Sequence, residues 1–221
     1  MTVRTQFESE LGELHGSVLR MGALVEAAIK DSVQALVQRD REMAEAIIKH
    51  DAELNDLHRS LREQVFVVIA TQQPVARDLR MVMATQYIAV ELERIGDYAV
   101  RIAKRVVQLV DFPQAEPLVE LQQMANLVER QVHDILDALV RLDDAAATSV
   151  AERDHEIDRI YQRIFGEEIS AMAIRPNTAM AAQLLINVAH TLERIGDRVI
   201  NIAEDIVFLD TGQVVELNEP A

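Results

Sequence analysis

The sequence predicts an all-α protein built as two tandem, pseudo-symmetric three-helix bundles, and three observations carry that prediction. The hexapeptide Leu92-Glu93-Arg94-Ile95-Gly96-Asp97 returns as Leu192-Glu193-Arg194-Ile195-Gly196-Asp197, one hundred positions later, and each copy is followed by Ile-Ala (Ile102-Ala103, Ile202-Ala203). A repeat of that fidelity marks a duplicated unit. Apolar residues recur at alternating spacings of three and four along most of the chain, the period of a helix with one buried face. Finally, only 7 Gly and 5 Pro punctuate 221 residues of which 49% are hydrophobic, a composition poor in turn chemistry and rich in helix formers.

The first helix is expected from about Thr5 to Arg39, with Leu11, Leu14, Val18, Met21, Val25, Ala28, Ser32 and Leu36 facing inward. Asp40 then caps a second run whose inner face holds Ile47, Leu54, Leu57, Leu61, Val65 and Val68. Pro74 stops it, because proline lacks a backbone donor and biases Gln73 away from helix. A third helix starts at or just after Pro74, its seam running through Ile88, Leu92, Ile95, Ala99, Ile102, Val106 and Leu109. Two prolines within 113–117 mark a linker, which places the first bundle at 1–112 and the second at 118–210.

The second bundle repeats the plan. A fourth helix spans Leu118 to Leu142, a fifth runs from Asp143-Asp144 to about Ala173, and Arg175-Pro176-Asn177-Thr178 interrupts it where the first half had Gln73-Pro74. The sixth carries Val188, Leu192, Ile195, Val199, Ile202, Ile206 and Leu209, the third helix's seam displaced by one hundred. Residues from Asp210 onward read as a frayed tail, with 211–221 outside the bundle.

Charge and residue types exclude several functions. A net charge of −15 without a Lys/Arg cluster argues against direct nucleic-acid binding. The absence of cysteine excludes disulfides and thiolate metal sites. No apolar run is long enough for a signal peptide or a membrane span, so a soluble, cytoplasmic chain without direct membrane insertion is expected.

The candidate site is acidic. Each hexapeptide sets a Glu and an Asp four residues apart, on one helix face about one turn from each other. Like charges so placed cost a few tenths of a kcal/mol in an isolated helix, and a bound cation is the simplest compensation. Glu93, Asp97, Glu193 and Asp197 are therefore candidate ligands, weighed against the plain alternative of a solvated helix face. Helices two and five share a second pattern, Asp51-Ala52-Glu53-Leu54-Asn55 against Asp154-His155-Glu156-Ile157-Asp158. Because helix two runs antiparallel to helix three, Asp51, Glu53 and Asn55 in one half, and Asp154, Glu156 and Asp158 in the other, are the candidate further ligands. Asn55 opposite Asp158 makes the halves unequal, and the second site should bind more tightly. Oxygen donors without sulfur suit magnesium, manganese, calcium or iron ahead of zinc.

On a helical wheel the acids lie well away from the seam, so they are expected to look outward, beside a stripe of small residues (Ala89, Gly96, Ala103; Ala189, Gly196, Ala203) and beside Val90, Val100 and Val107 or Ile186, Ile200 and Val207. Such a partly apolar surface is the kind that meets a partner. His190, three residues before Glu193, reads as a surface or interhelical histidine. A ferritin-like di-iron oxidase would need Glu-x-x-His on two core helices, and the order here is His-x-x-Glu once. The remaining histidines suggest no catalytic set, and Met81 and Met83 read as packing residues.

The twin Glu-Arg-Ile-Gly-Asp motifs, the run Gln73-Pro74-Val75-Ala76-Arg77-Asp78-Leu79-Arg80 and the acidic all-helical character over nearly the whole chain resemble the PhoU family. The resemblance implies a cytoplasmic, non-enzymatic accessory protein of the bacterial phosphate-specific transport system. Such a protein restrains phosphate uptake and represses the phosphate-starvation response, as an adaptor between the phosphate transporter ATPase subunit and a sensor histidine kinase. It also implies a homodimer and metal clusters (Fe, Mn, Mg or Zn) at Glu/Asp-x-x-x-Asp motifs, which fall here on Glu93/Asp97, Glu193/Asp197 and Asp154/Asp158. The sequence departs from the motif at Asp51/Asn55, and the second half has Arg175-Pro176-Asn177-Thr178 in place of the Gln-Pro run. Two rivals stand beside this reading: a metal-dependent phosphohydrolase, for which Arg94 and Arg194 would be the only phosphate grips, and a structural dimer whose acids hold nothing.

Overall fold

A computed structural model describes residues 3–112 and 119–217. Among these the chain is helical throughout, with no strand. Helices α1 (Val3–Gln38), α2 (Arg41–Gln72) and α3 (Ala76–Leu109) form the first bundle. The second comprises α4 (Val119–Arg141), α5 (Asp144–Glu152), α6 (Asp154–Ile174) and α7 (Ala179–Thr211), with a single 3-10 turn, Pro176–Thr178, before α7. The expected linker at 113–117 lies outside the described residues.

The duplication is visible in the backbone. Both α1 and α4 end in the same turn: Asp40 N–H reaches Ala35 C=O and Asp143 N–H reaches Ala138 C=O, around Arg39 and Leu142 at φ of 53° and 51°. This is the double hydrogen-bonded helix end usually built on glycine. Each following Asp then accepts from the first turn of the next helix, Asp40 Oδ1 from Met43 N–H and Asp143 Oδ1 from Ala146 N–H. Gln73 at φ 47° closes α2, and α3 begins two residues after Pro74.

One expected helix is broken. The predicted fifth helix is continuous from Asp144 to Ala173, whereas the structure interrupts it at Arg153. The break is pinned to α4 at two adjacent points: Arg153 Nη2 donates to Asp134 Oδ2 at 2.6 Å, and Gln131 Nε2 donates to Asp154 Oδ1 at 3.1 Å. Asp154 is thereby drawn inward and buried.

The seams of α3 and α7 are fully buried, as expected, and these two helices pack more extensively on each other than any other pair. Arg80 meets Phe208 and Gly212, Glu91 meets Asn201, and Tyr98 meets Arg194, so the two helices run antiparallel. The two hexapeptide copies lie beside one another where α3 and α7 cross. Buried apolar residues of both halves join into one continuous cluster. The tail is less frayed than expected: α7 runs to Thr211, Gly212 caps it at φ 75°, and Leu217 packs on the core with its N–H on Glu204 Oε1.

Candidate cation site

Glu93, Asp97, Glu193 and Asp197 are half-buried. The expectation that they look outward is corrected: α2 lies over the first pair and α6 over the second. The wheel assumed a single core direction, but α3 packs against α1, α2 and α7, so more of its circumference is covered than one seam accounts for. Val100, Ile200 and Val207 are buried too, while Val90, Val107 and Ile186 are half-buried. The flanking aliphatic residues therefore contribute to interhelical packing rather than to an open patch.

In the second half the acids gather. Asp154 is 4% exposed. Its pKa is pushed up to about 6, first by burial and then by Asp158, Asp197 and Glu193, against the opposing hydrogen bond from Gln131. Glu193 is pushed up to about 7 by burial, then by Asp197 and Asp158. Asp158, on the exposed side of α6, is raised by burial of its carboxyl and by Asp197. The acids raise one another, and Arg194 on Glu193 and His155 on Asp158 offset this only in part.

Two oxygens beside them lack partners: Glu193 Oε2 and Gln131 Oε1 are buried and accept no hydrogen bond. His190 Nδ1 lies 3.3 Å from Glu193 Oε2 as a charge contact without hydrogen-bond geometry. The His190 ring also sits 5.7 Å from that of Tyr161 on α6, making it an exposed interhelical histidine. Gly196 supplies the room: a Cβ there would collide with Asp154 Oδ1 and stand 3.5 Å from Gln131 Oε1. The helix tolerates this glycine because a carboxylate occupies the missing side chain's place.

The first half is different. Glu93 is raised by burial, then by Asp97 and Asp51, and Arg94 partly offsets this. Asp51 is half-buried but already accepts a 2.8 Å hydrogen bond from Asn55 Nδ2. A Cβ on Gly96 would meet the Leu54 methyl, not an acid. Glu53 and Glu156 are exposed, and Glu53 lines a cavity against Gly96 together with Asp31, His50 and Asp51. Arg94 donates to Glu91 and Arg194 lies 5.7 Å over the Tyr98 ring, so both motif arginines turn to the α3–α7 interface and away from the acids they follow. Met81 and Met83 are half-buried, and Met81 packs on the core.

Among the described residues no three His, Asp or Glu side chains already stand in a metal-holding array. The donor chemistry of the second half nonetheless fits a hard cation: carboxylates and an amide oxygen, two of the oxygens unsatisfied, and a glycine cradle beneath them. Among the described residues, none of the first half's clustered acids carries a buried oxygen without a partner.

Residues missed from the sequence cluster where α3 crosses α7. Glu91 is 8% exposed and accepts from Arg94 Nη1 at 3.0 Å, Arg198 Nη1 at 3.2 Å and Asn201 Nδ2 at 3.2 Å. Beside it Asp205 is pushed up to about 7 by burial, then by Glu91 and Glu204. Glu91 carried no repeat signal, since Thr191 stands at its place. Gln131 did carry one: it sits three residues after Val128 and four before Ile135, a polar side chain on a buried face.

The fold and this site define a class: an all-helical protein of two fused bundles, each with an acid pair on its last helix, under the helix that precedes it. A family model for the PhoU domain matches residues 18–106 and 121–206. The chain belongs to the PhoU family. It is 40% identical over 217 residues to a Clostridium acetobutylicum protein named phosphate-specific transport system accessory protein PhoU homolog, covering 98% of this chain and 99% of that one. A Pseudomonas putida protein of the same name is 35% identical, covering 95% of this chain and 82% of its own length. The crystal structure of PhoU from Pseudomonas aeruginosa superposes with a TM-score of 0.91 at 34% identity, covering 94% of this chain and all of that one. The phosphate transport system regulatory protein PhoU from Streptococcus pneumoniae gives 0.88 at 32%, covering 95% and 99%. No helix among the described residues is long and apolar enough to cross a membrane.

Proposed function

We propose that this chain is a cytoplasmic, non-enzymatic regulator of a phosphate-specific transport system. It restrains phosphate uptake and the phosphate-starvation response when phosphate is plentiful, as an adaptor between the transporter ATPase subunit and a sensor histidine kinase. The observation that carries this reading is the end-to-end likeness to relatives named as accessory proteins of that system.

The distribution of exposed apolar residues supports an adaptor role. Phe66 (63% exposed), Val75 (73%) and Leu79 cluster around the turn joining α2 to α3, while Phe165, Ile169, Ile174 (80%) and Met180 (61%) cluster around the turn into α7. Since α3 and α7 are antiparallel, the two patches lie at opposite ends of the molecule, the arrangement a two-partner adaptor needs. The acid clusters bind cations in this reading, with Asp154, Asp158, Glu193 and Asp197 in the second half and Asp51, Asn55, Glu93 and Asp97 in the first. Iron, manganese, magnesium or zinc is the candidate ion, and a homodimer is the expected assembly.

Deleting the gene tests the proposal: phosphate uptake and starvation genes should rise in ample phosphate and return to normal when the chain is restored. A pull-down from phosphate-replete cells should recover the ATPase subunit and the kinase. Unchanged uptake and gene expression on deletion would refute the regulatory role, and recovery of neither partner would refute the adaptor role.

A further inference from the structure

We infer that the groove between α1 and α2 docks a segment of a partner protein that carries an arginine beside an apolar side chain. The apolar group enters the groove, and the guanidinium meets Asp31 at its rim. This rests on the adaptor reading above and gives one partner its chemistry.

The second half of the chain shows what such a groove takes. The shared turns at Asp40 and Asp143 set the two halves in register. Each half then carries the same groove, of about 320 Å³ between α1 and α2 and of about 330 Å³ between α4 and α6. Leu24, Glu53 and Leu54 of the first groove correspond to Leu127, Glu156 and Ile157 of the second. Three lining positions change character: Ala27, Ala28 and His50 stand where the second half has Arg130, Gln131 and Arg153. Two of those longer side chains bind acids beside the second groove, Arg153 on Asp134 at 2.6 Å and Gln131 on Asp154 at 3.1 Å.

The first half has the matching acids without the donors. Asp31 is the counterpart of Asp134, and Asp51 of Asp154. Ala28 has no polar side chain, and His50 Nδ1 lies 2.7 Å from Ala46 C=O within its own helix. Among the described residues, the exposed Asp31 and Glu53 make no ion pair, and Asp51 accepts from the Asn55 amide. Lys30, the neighbouring cation on α1, faces Glu129 of α4. The guanidinium that Arg153 supplies in the second half thus has no counterpart in the first.

The floor sets the apolar part of the partner. Leu24, Met43, Ile47, Leu54 and Val100 line the groove against Gly96, while Ala27 and Ala46 at its mouth are small and exposed, which lets another segment come close. Arginine suits the rim better than lysine, because a guanidinium is weakly hydrated and forks onto a carboxylate beside apolar surface. A net charge of −15 draws a basic segment and opposes a second copy of this chain in the groove.

The experiment is fluorescence anisotropy of a labelled, alanine-based helical peptide carrying one leucine and one arginine a turn apart, titrated with the full chain. One peptide per chain is expected. Binding should weaken at least about tenfold in Ala28→Gln/His50→Arg, which gives the first groove the second's own side chains, the loss that follows when a leucine is no longer buried. It should weaken several-fold in Asp31→Asn, and equally when citrulline replaces the peptide's arginine. Melting curves verify that each variant is folded, and if the double variant is not, His50→Arg and Asp31→Asn decide. No binding of the peptide, an unaltered affinity in the folded variants, or indifference to the peptide's arginine would overturn the inference. So would loss of a dimer in sedimentation of Ala28→Gln/His50→Arg, which would give the groove to a second copy, or tighter binding of free propylguanidine than of the peptide, which would give it to a small molecule. The adaptor reading fails separately: a pull-down with the parent chain that recovers neither partner rejects that reading, whereas recovery of both partners by Ala28→Gln/His50→Arg as fully as by the parent rejects the groove alone.

Discussion

Replacing Asp154 by Asn should stabilise the metal-free protein at neutral pH and do little in acid. A buried carboxyl with a raised pKa keeps its proton in the folded chain at pH values where the unfolded chain has released it. The folded state then binds more protons than the unfolded state between about pH 4 and the raised pKa, so stability falls as pH climbs through that window and stays low above it. For Asp154 the window runs from the ordinary 3.8 to about 6. Two pH units at about 1.4 kcal/mol each set a ceiling near 3 kcal/mol, and solvent screening with coupling to Asp158 and Glu193 reduces it to about 1–2 kcal/mol. Asparagine removes the charge and keeps the shape. Its Oδ1 can still accept from Gln131 Nε2, and its new amide N–H can donate to the unpartnered Gln131 Oε1. In a chain of this size the gain corresponds to about 2–8 °C in melting temperature. Urea unfolding with EDTA at about pH 7.5 and pH 4.5 checks it: the variant should win at the higher pH and match the parent at the lower. Equal destabilisation at both values would mean that Asp154 is held by a favourable ionic environment, refuting the electrostatic account of the site.

Other outcomes follow from the same contacts. Glu91→Ala strands Arg198 and Asn201 at the α3–α7 crossing and should cost about 2–4 kcal/mol in thermal or urea unfolding, more than any exposed acid-to-Ala change. Gly96→Ala pushes only on the end of a flexible Leu54 side chain and gains helix propensity, so its stability should stay within about 1 kcal/mol of the parent. Gly196→Ala displaces an Asp154 carboxylate held by Gln131 and should destabilise more than Gly96→Ala, read by melting. Asp40→Ala and Asp143→Ala each remove a helix cap and should cost about 1 kcal/mol apiece, additively because the two turns are far apart.

Much of the architecture was legible because helix packing leaves a periodic mark. The seams from Ile88 to Leu109 and from Val188 to Leu209 are buried residue for residue, and Asp40 caps the helix it was expected to cap. The acid pairs were found by repetition alone. What surrounds them was not: a wheel reports the angle of a side chain about its own axis and contains nothing about how many neighbours that helix has. Gln131 could have been noticed as a polar break in α4's apolar face, but nothing local said that its partner would be Asp154.

The sequence by itself determined the helical period, the duplication, the turns at Asp40, Pro74, Asp143 and Pro176, and the family, because each is written in local spacing or in repeated residues. Tertiary structure decided which of two equal-looking motifs sits in a polar groove. That choice depends on what α4 and the break at Arg153 bring over Gly196, and on Leu54 taking the matching space over Gly96. Residues so far apart in the chain meet only when three helices pack, so the identity of each neighbour is a property of the assembled bundle and of no single segment.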